Sequence, residues 1–311
     1  MLYMRMIRYL FLGCLMGLQL TTVLAQHKFP PADLTELKSK EDSLTQLGID
    51  LVNSPDVSAR VSADSLFTRT LVRALKTPNS FYFRFDSLQT VSHLYAPDSS
   101  FRIFTWQLSE DEDHFRRHGA IQMRTRDGSL KLFALSDRTA VMEHPLDTVT
   151  TNQFWVGNIY YNIVEKKYQG KNYYTLLGYD EHNVRSTRKW IDVLTFDTED
   201  RPVFGGPFFS FVAGDPAHPA STSARFMIEY KKDGGARLQY DADLGLILFD
   251  HLVSESNEPD KTYTLVPDGD YEGFRWVNGK WVHINKVFTQ KLQDGQAPVP
   301  APLTKQPGRV Q

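Results

Sequence analysis

The feature that most constrains the fold of this chain is a series of tight-turn sequences between short apolar runs. Asp-Gly, Gln-Gly or Asn-Gly pairs lie at residues 126–129, 168–171, 232–235 and 277–280. Such pairs tolerate the positive φ angles that tight hairpin turns need. The runs between them are rich in aromatic and β-branched residues, which is typical of strands. We therefore expect a mainly β fold over residues 80–293, either an antiparallel sandwich or an open barrel built of hairpins.

The first of these turns predicts a register for its two strands. A two-residue loop at 127–128 places Met123 opposite Leu132 and Ile121 opposite Ala134. This face of the hairpin is apolar, whereas the other carries charged and hydroxyl side chains. The pattern predicts one face against a core and one face toward water.

The segment before the strands, residues 26–79, has helical rather than strand periodicity. Leucines recur at spacings close to three, four and seven up to Ser54-Pro55, which predicts a first helix that ends there. A second helix is expected over about 57–76, before Thr77-Pro78. The apolar residues expected on one side of this second helix are Val61, Leu66, Leu71, Val72 and Leu75.

The extreme N-terminus has the layout of a secretory signal peptide. Arg5 and Arg8 precede an apolar run over 9–20, and small or short residues lead to Ala25. This arrangement predicts cleavage near Ala25 and a secreted or periplasmic protein with no transmembrane segment in the mature chain. We do not expect lipidation at Cys14, because only a short apolar stub precedes it and a long one follows.

Removal of residues 1–25 changes the charge and the thiol content of the chain. Two of 35 basic residues leave, so 33 remain against 37 acidic ones, a net charge of -4, and the only cysteine is lost. A cysteine-free exported chain fits a bacterial envelope, and a mildly acidic one argues against a nucleic-acid partner. We expect its partner to be an envelope ligand or protein. Residues 294–311 are rich in proline and polar residues, which predicts a disordered tail.

Several sequence segments in the second half of the chain resemble a known group of proteins. The matching segments include 173–180, 188–194, 202–205, 228–230 and 267–271. They are similar to uncharacterised exported proteins of Bacteroidota-type bacteria. The resemblance implies a β-rich envelope protein. No activity is known for the group, so no functional residue is carried over.

Three carboxylates lie within five residues at 268–272, among glycines and before the last predicted hairpin. Asp268, Asp270 and Glu272 could supply the clustered oxygen ligands that calcium prefers, although the spacing of an EF-hand is absent. Asp250 and His251 lie one predicted strand earlier. If they meet Asp268 and Asp270 in space, the four would form a candidate acid/base or metal site. The alternative is a solvated acidic turn.

The last predicted hairpin carries a second candidate site made of aromatic residues. A two-residue loop at 278–279 places Trp276 opposite Trp281 and Phe274 opposite His283. If Val282 and its neighbours face the core, these four side chains form an exposed platform for sugars or apolar ligands. If the tryptophans face the core, they are packing residues.

Common catalytic motifs are missing from the chain. It has no nucleophile elbow, no H-E-x-x-H and no phosphate-binding glycine loop. We therefore expect a non-catalytic binding or structural module of the envelope, with no required cofactor other than a possible calcium ion. The alternative is an exported hydrolase of glycans or peptides that uses the candidates Asp250, His251, Asp268 and Asp270.

Overall fold

The structure is a computed structural model that describes residues 29–212 and 222–288. The expected signal peptide at 1–25 and the expected tail at 294–311 lie outside the described residues. The described chain begins with two helices, α1 (Pro31–Asn53) and α2 (Val57–Leu75). Neither combines the length and the apolarity that a membrane crossing requires. Strands make up most of the rest, which confirms the mainly β fold with two helices before it.

Helix α1 forms where the leucine periodicity predicts it, with a proline at its first position. Leu37, Leu44 and Leu51 are buried along one stripe. Helix α2 begins at Asp56, whose carboxylate accepts a hydrogen bond from the backbone N–H of Ser58 at 3.1 Å.

The buried face of α2 differs from the one that the sequence predicts. Val61 and Leu66 are exposed. The core side keeps the predicted Leu71 and Leu75 and adds two alanines and a phenylalanine at helical spacing. The small alanines let α2 approach α1 closely, and the aromatic ring fills the space toward the strands. The residues that form this side are Ala63, Phe67, Leu71, Ala74 and Leu75.

Sixteen strands follow in the described residues. In chain order they are β1 (Ser92–Tyr95), β2 (Phe101–Ser109), β3 (Phe115–Met123), β4 (Lys131–Ser136), β5 (Thr150–Thr151), β6 (Ile159–Tyr168), β7 (Lys171–Asp180), β8 (Ser186–Phe196), β9 (Pro202–Phe204), β10 (Phe209–Ser210), β11 (Thr222–Ser223), β12 (Phe226–Lys231), β13 (Leu238–Asp241), β14 (Leu246–Ser254), β15 (Leu265–Val277) and β16 (Lys280–Ile284).

These strands form three sheets. The first sheet has the order β1-β2-β3-β4. The middle sheet has the order β5-β9-β8-β7-β6, with β12 also paired to β8. The last sheet has the order β11-β10-β16-β15-β14-β13. Neighbouring strands are antiparallel except β10 and β16, which run parallel, so the last sheet is mixed.

The helices and the three sheets are stacked in layers with a hydrophobic core between each pair. Leucines of the helices pack on Phe104 and Trp106 of the first sheet. The opposite face of that sheet packs Ile103 and Ile121 against the middle sheet. The remaining core lies between the middle and last sheets and includes Ile191. The middle sheet is therefore covered on both faces.

The two hairpins whose registers the sequence predicts have different outcomes. Trp276 pairs with Trp281, which confirms the register of the last hairpin. The first hairpin is shifted by one residue, because Ile121 pairs with Phe133 and Ala134 with Ala120. The connection between β3 and β4 covers residues 124–130, whereas the sequence predicts a loop of two residues. It is longer because it is anchored to distant parts of the chain. The sequence predicts Met123 and Leu132 on one face, but Leu132 packs toward the helices and Met123 toward the middle sheet, so both faces of the hairpin are covered.

A fully buried ion pair lies in the middle sheet, between β8 and the residue that precedes β12. Arg225 donates from Nε to Oδ2 of Asp192 at 2.7 Å, and both side chains are completely buried. Burial raises the pKa of Asp192, while Arg225 acts in the opposite direction. The guanidinium also ties a loop and a neighbouring strand to the sheet, through oxygens of Pro145, Thr148, Thr150 and Phe204.

A second buried guanidinium, Arg102, lies between the first sheet and the segment that follows the helices. Its hydrogen bonds reach neutral acceptors, among them Gln122 at 2.8 Å and the Ser80 carbonyl at 2.8 Å. Burial lowers the pKa of Arg102 to about 10. Four aromatic rings surround the charge at 4.8 to 5.8 Å and supply cation–π contacts, those of Phe81, Phe85, Tyr95 and Phe104.

We expect Arg225→Met to lower the free energy of unfolding by about 3–5 kcal/mol, because it leaves Asp192 charged and unpaired in the core. Urea unfolding followed by far-UV circular dichroism measures the loss. Arg201→Met is the matched control, since Arg201 pairs with Asp197 on the surface and its removal should leave the midpoint unchanged. Equal losses in the two variants would contradict the structural role of the buried pair.

Candidate functional site

Four of the residues singled out in the sequence meet across the strands β14, β15 and β16. His251 Nδ1 lies 2.8 Å from Asp268 Oδ2, and His251 Nε2 lies 3.9 Å from Glu272 Oε1. Glu272 Oε2 in turn lies 2.7 Å from His283 Nε2. The strands are hydrogen-bonded neighbours, so the sheet holds this set in place. We call Asp268, His251, Glu272 and His283 the histidine–carboxylate chain.

The other two acidic candidates do not join this chain. Asp250 is buried and accepts a hydrogen bond from the backbone N–H of Arg237 at 2.7 Å. It lies next to His251, where the pairing of β14 with β15 shifts register. Asp270 is exposed and accepts from Lys286 Nζ at 2.6 Å. The predicted acid/base group is thus reduced to His251 and Asp268, to which Glu272 is added.

The three carboxylates expected to bind calcium all have basic partners, and two of them share His251. Asp268 contacts His251, Asp270 contacts Lys286, and Glu272 contacts both His251 and His283. Within residues 29–212 and 222–288, no group of three or more histidine, cysteine, aspartate or glutamate side chains is arranged to hold a metal ion. Calcium binding at residues 268–272 stays a prediction.

The ionisation of Asp268 is set by opposing effects. Burial acts to raise the pKa of this carboxyl group, but hydrogen bonds from the backbone N–H of Asp270 and from His251 hold it below its ordinary value. Asp268 is consequently ionised when it meets His251. An imidazole oriented by a carboxylate is the arrangement used for general acid/base work. However, His251 is 41% exposed, so water has open access to the pair.

The aromatic candidates on the last hairpin lie in the core. Trp281 is completely buried and donates from Nε1 to Thr175 Oγ1 of the middle sheet at 2.9 Å. Trp276 packs edge-on against it, with ring centroids 5.3 Å apart. Val282, on the opposite face, is 37% exposed. The hairpin therefore uses its tryptophans for packing and does not present the exposed platform that one reading of the sequence expects.

The other two members of the aromatic group are also packing residues. Phe274 is completely buried between the middle and last sheets. His283 is buried as well, and its ring stacks on Phe249 with centroids 6.0 Å apart. A ligand cannot reach either side chain without opening the core.

The sequence gives no indication of a groove that the structure places along strand β6. The groove has a volume of about 450 Å³. Residues 162–165 and Lys167 of β6 form its floor, and Pro97 and Tyr240 form its walls. We call it the β6 groove.

The β6 groove lies where the edges of the three sheets come together. Strand β6 is the last strand of the middle sheet, Pro97 follows β1 of the first sheet, and Tyr240 belongs to β13 at the edge of the last sheet. Lys166 holds the Tyr240 wall in position, because its ammonium group donates to the phenol oxygen at 2.8 Å and lies 4.8 Å from the ring centroid. These contacts fix the position of the Tyr240 ring beside the groove.

The Asp268–His251 contact has a consequence that depends on pH. Because the pKa of Asp268 is lowered, its carboxylate stabilises the fold above about pH 4, and this contribution is lost as the pH falls through the lowered pKa. We expect His251→Ala to raise the pKa of Asp268, as measured by NMR titration of its carboxyl carbon. Lys286→Ala, which removes the partner of Asp270, should leave the pKa of Asp268 unchanged. An Asp268 pKa that is the same with and without His251 would show that the contact is absent in solution.

Comparison of this chain with protein-family models, with curated proteins and with solved structures finds no match. The geometry of the histidine–carboxylate chain and of the β6 groove is therefore the basis for assigning a function.

Proposed function

We propose that this protein is an exported, non-catalytic binding module of a bacterial envelope, and that the β6 groove is its binding site. The observation that carries the proposal is the groove itself. Its volume of about 450 Å³ lies in the range typical of ligand sites in proteins. It combines an acid, a base and a phenol ring, Glu165, Lys167 and Tyr240, within one depression.

The location of the protein rests on the sequence. The arginines and apolar run before Ala25 support export, and the loss of Cys14 with the signal leaves a chain without thiols. The mature chain carries four more acidic than basic residues. These features support a partner in the envelope and argue against a nucleic acid.

The packing of the aromatic residues also supports binding at the groove. Trp281, Phe274 and His283 are buried in the core, so none of them can serve as a contact surface. Tyr240, by contrast, lines the groove with its ring fixed by Lys166. A fixed ring loses little conformational freedom when a ligand packs on it.

An exported hydrolase is the second candidate, because one observation favours it. His251 lies between two carboxylates, Asp268 and Glu272, and so resembles an acid/base group. None of these residues lines the β6 groove. A hydrolase would therefore work at a different place from the groove, which makes the two candidates separable.

A binding and turnover assay on the same labelled probes separates them. We expect members of a panel of labelled oligosaccharides and unstructured peptides to be retained by the protein and recovered intact by mass spectrometry. Tyr240→Ala and Lys167→Glu should each weaken retention about tenfold, as is usual for a central aromatic or charged contact. Val282→Ala is the matched control, because Val282 is exposed and lies outside the groove.

Two results would overturn the proposal. Cleavage of a probe that His251→Ala abolishes would establish the hydrolase instead. Retention that is unaffected by both groove variants would show that the β6 groove is not the binding site.

A further inference from the structure

We propose that the β6 groove takes an extended segment of a partner polypeptide, which adds to the middle sheet as a further strand beside β6. This inference rests on the proposed binding function and names the class of ligand. It is carried by the backbone of residues 162–167 of β6, the last strand of the middle sheet, which no other strand pairs on its outer side in the part of the chain that the structure describes.

The first sheet covers the beginning of this edge, because the backbone N–H of Tyr160 donates to Thr105 Oγ1 at 3.0 Å and the Tyr160 carbonyl accepts from Ser92 Oγ. The open part is the stretch that lines the groove, from Asn162 to Lys167. Strand β6 has ten residues, whereas the edge strands β1 and β13 have four and β4 has six in the part of the chain that the structure describes. Proteins generally keep exposed edge strands short or covered, because open edges pair with other chains. The open stretch from Asn162 to Lys167, which lies along a groove, is therefore a feature that calls for a partner.

The hairpin between β6 and β7 determines which backbone groups face the groove. Tyr168 pairs with Lys171 across the loop Gln169-Gly170, whose φ angles of 48° and 75° are those of a tight hairpin turn. The pair that flanks such a two-residue loop is hydrogen-bonded, and bonded pairs alternate with non-bonded ones along the ladder. Val164 and Lys166 therefore bond to β7.

It follows that the backbone N–H and C=O groups of Ile163, Glu165 and Lys167 point away from β7 and toward the open edge. No further strand pairs with β6 on that side among residues 29–212 and 222–288. These three residues follow one another at intervals of about 7 Å, which is the two-residue repeat of a strand. The edge thus offers alternating donors and acceptors at the spacing of an extended polypeptide.

The walls of the groove favour a single strand as its occupant. Pro97 stands on the side of the first sheet and Tyr240 on the side of the last sheet. An extended peptide brings a single backbone to this edge, whereas the edge of a second folded copy would bring its own sheets against Pro97 and Tyr240. Main-chain hydrogen bonds supply affinity when a peptide adds to a sheet edge, and neighbouring side chains supply specificity.

The charges along the edge predict the side chains of the partner. Glu165 and Lys167 lie two residues apart and therefore on the same face of β6, and both line the groove. Opposite charges directly across two strands are favourable and like charges are not. Lys167 Nζ lies 3.4 Å from Glu165 Oε1, so the two charges pair with each other in the free protein. A bound segment with a basic residue opposite Glu165 and an acidic residue opposite Lys167 is expected to extend this pair into a cross-strand network.

A proline substitution tests the backbone contacts without disturbing the inner ladder. Glu165→Pro removes the outward N–H of this residue, and proline is tolerated on edge strands when its nitrogen faces away from the sheet. Glu165→Gln is the matched control, because it removes the same charge and keeps the N–H. The melting temperature of each variant establishes that it is folded.

The probe is a capped, labelled peptide of about eight residues, alternating valine with lysine and glutamate. A second peptide has the same side chains but is N-methylated at alternate residues, so that it cannot donate from one edge. Fluorescence anisotropy measures binding to the mature protein. We expect the first peptide to bind, Glu165→Pro to weaken it about tenfold or more, Glu165→Gln to weaken it less than about threefold, and the methylated peptide not to bind.

Each other outcome contradicts the inference in a distinguishable way. Binding of oligosaccharides at the groove without binding of the peptide would leave the proposed function standing and overturn the strand addition. Equal binding of the methylated and unmethylated peptides, a readout that does not depend on the folding of Glu165→Pro, would exclude backbone pairing. A concentration-dependent dimer that Glu165→Pro abolishes would make a second copy the occupant. Failure of every probe to bind would overturn both proposals.

Discussion

Burial of the middle sheet on both of its faces is the constraint on which the rest of the structure depends. Along β7, Leu176 faces the core shared with the first sheet, whereas Leu177 faces the core shared with the last sheet. A sheet with two buried faces can meet water only at its edges and ends. Among residues 29–212 and 222–288, the edge of β6 is open from Asn162 to Lys167. The stacking of the layers therefore also determines where a ligand can reach the backbone of this sheet.

The same burial explains how the molecule uses its interior charges. Arg225 and Asp192 are completely buried and pair with each other, and the remaining donors of Arg225 reach backbone and hydroxyl oxygens. Removing two charges from water is costly, so a pair of this kind persists only when its hydrogen bonds are complete. The buried charge of Arg102 is stabilised instead by hydrogen bonds to neutral acceptors and by contacts with aromatic rings. These buried charges hold the layers together and are not accessible to a ligand. The candidates for function are therefore the charged groups at the surface.

The sequence predicts local features well where one short connection decides them. The Asn-Gly turn correctly predicts that Trp276 pairs with Trp281, because a two-residue loop leaves one register. The first hairpin is shifted because its connection is longer and is held from outside, with the backbone N–H of Asn79 donating to Gly128 at 2.9 Å. Which face of a hairpin meets the core depends on the order of the sheets. Because the sequence does not fix the order of the sheets, it also leaves open whether His251 meets Asp268 or whether 268–272 is only a solvated turn. The β6 groove has no signal in the sequence, because the position of β6 at a sheet edge follows from the same order.

Amide hydrogen exchange along β6 tests the central claim, that one edge of this strand is unpaired and binds a peptide backbone. In the free protein the amides of Val164 and Lys166 should exchange slowly, whereas those of Ile163, Glu165 and Lys167 should exchange much faster because they face the groove. Addition of the alternating peptide should slow the second group and leave the first unchanged. Equal protection of the two groups in the free protein would contradict the account, because it would mean that the outer edge of β6 is already paired.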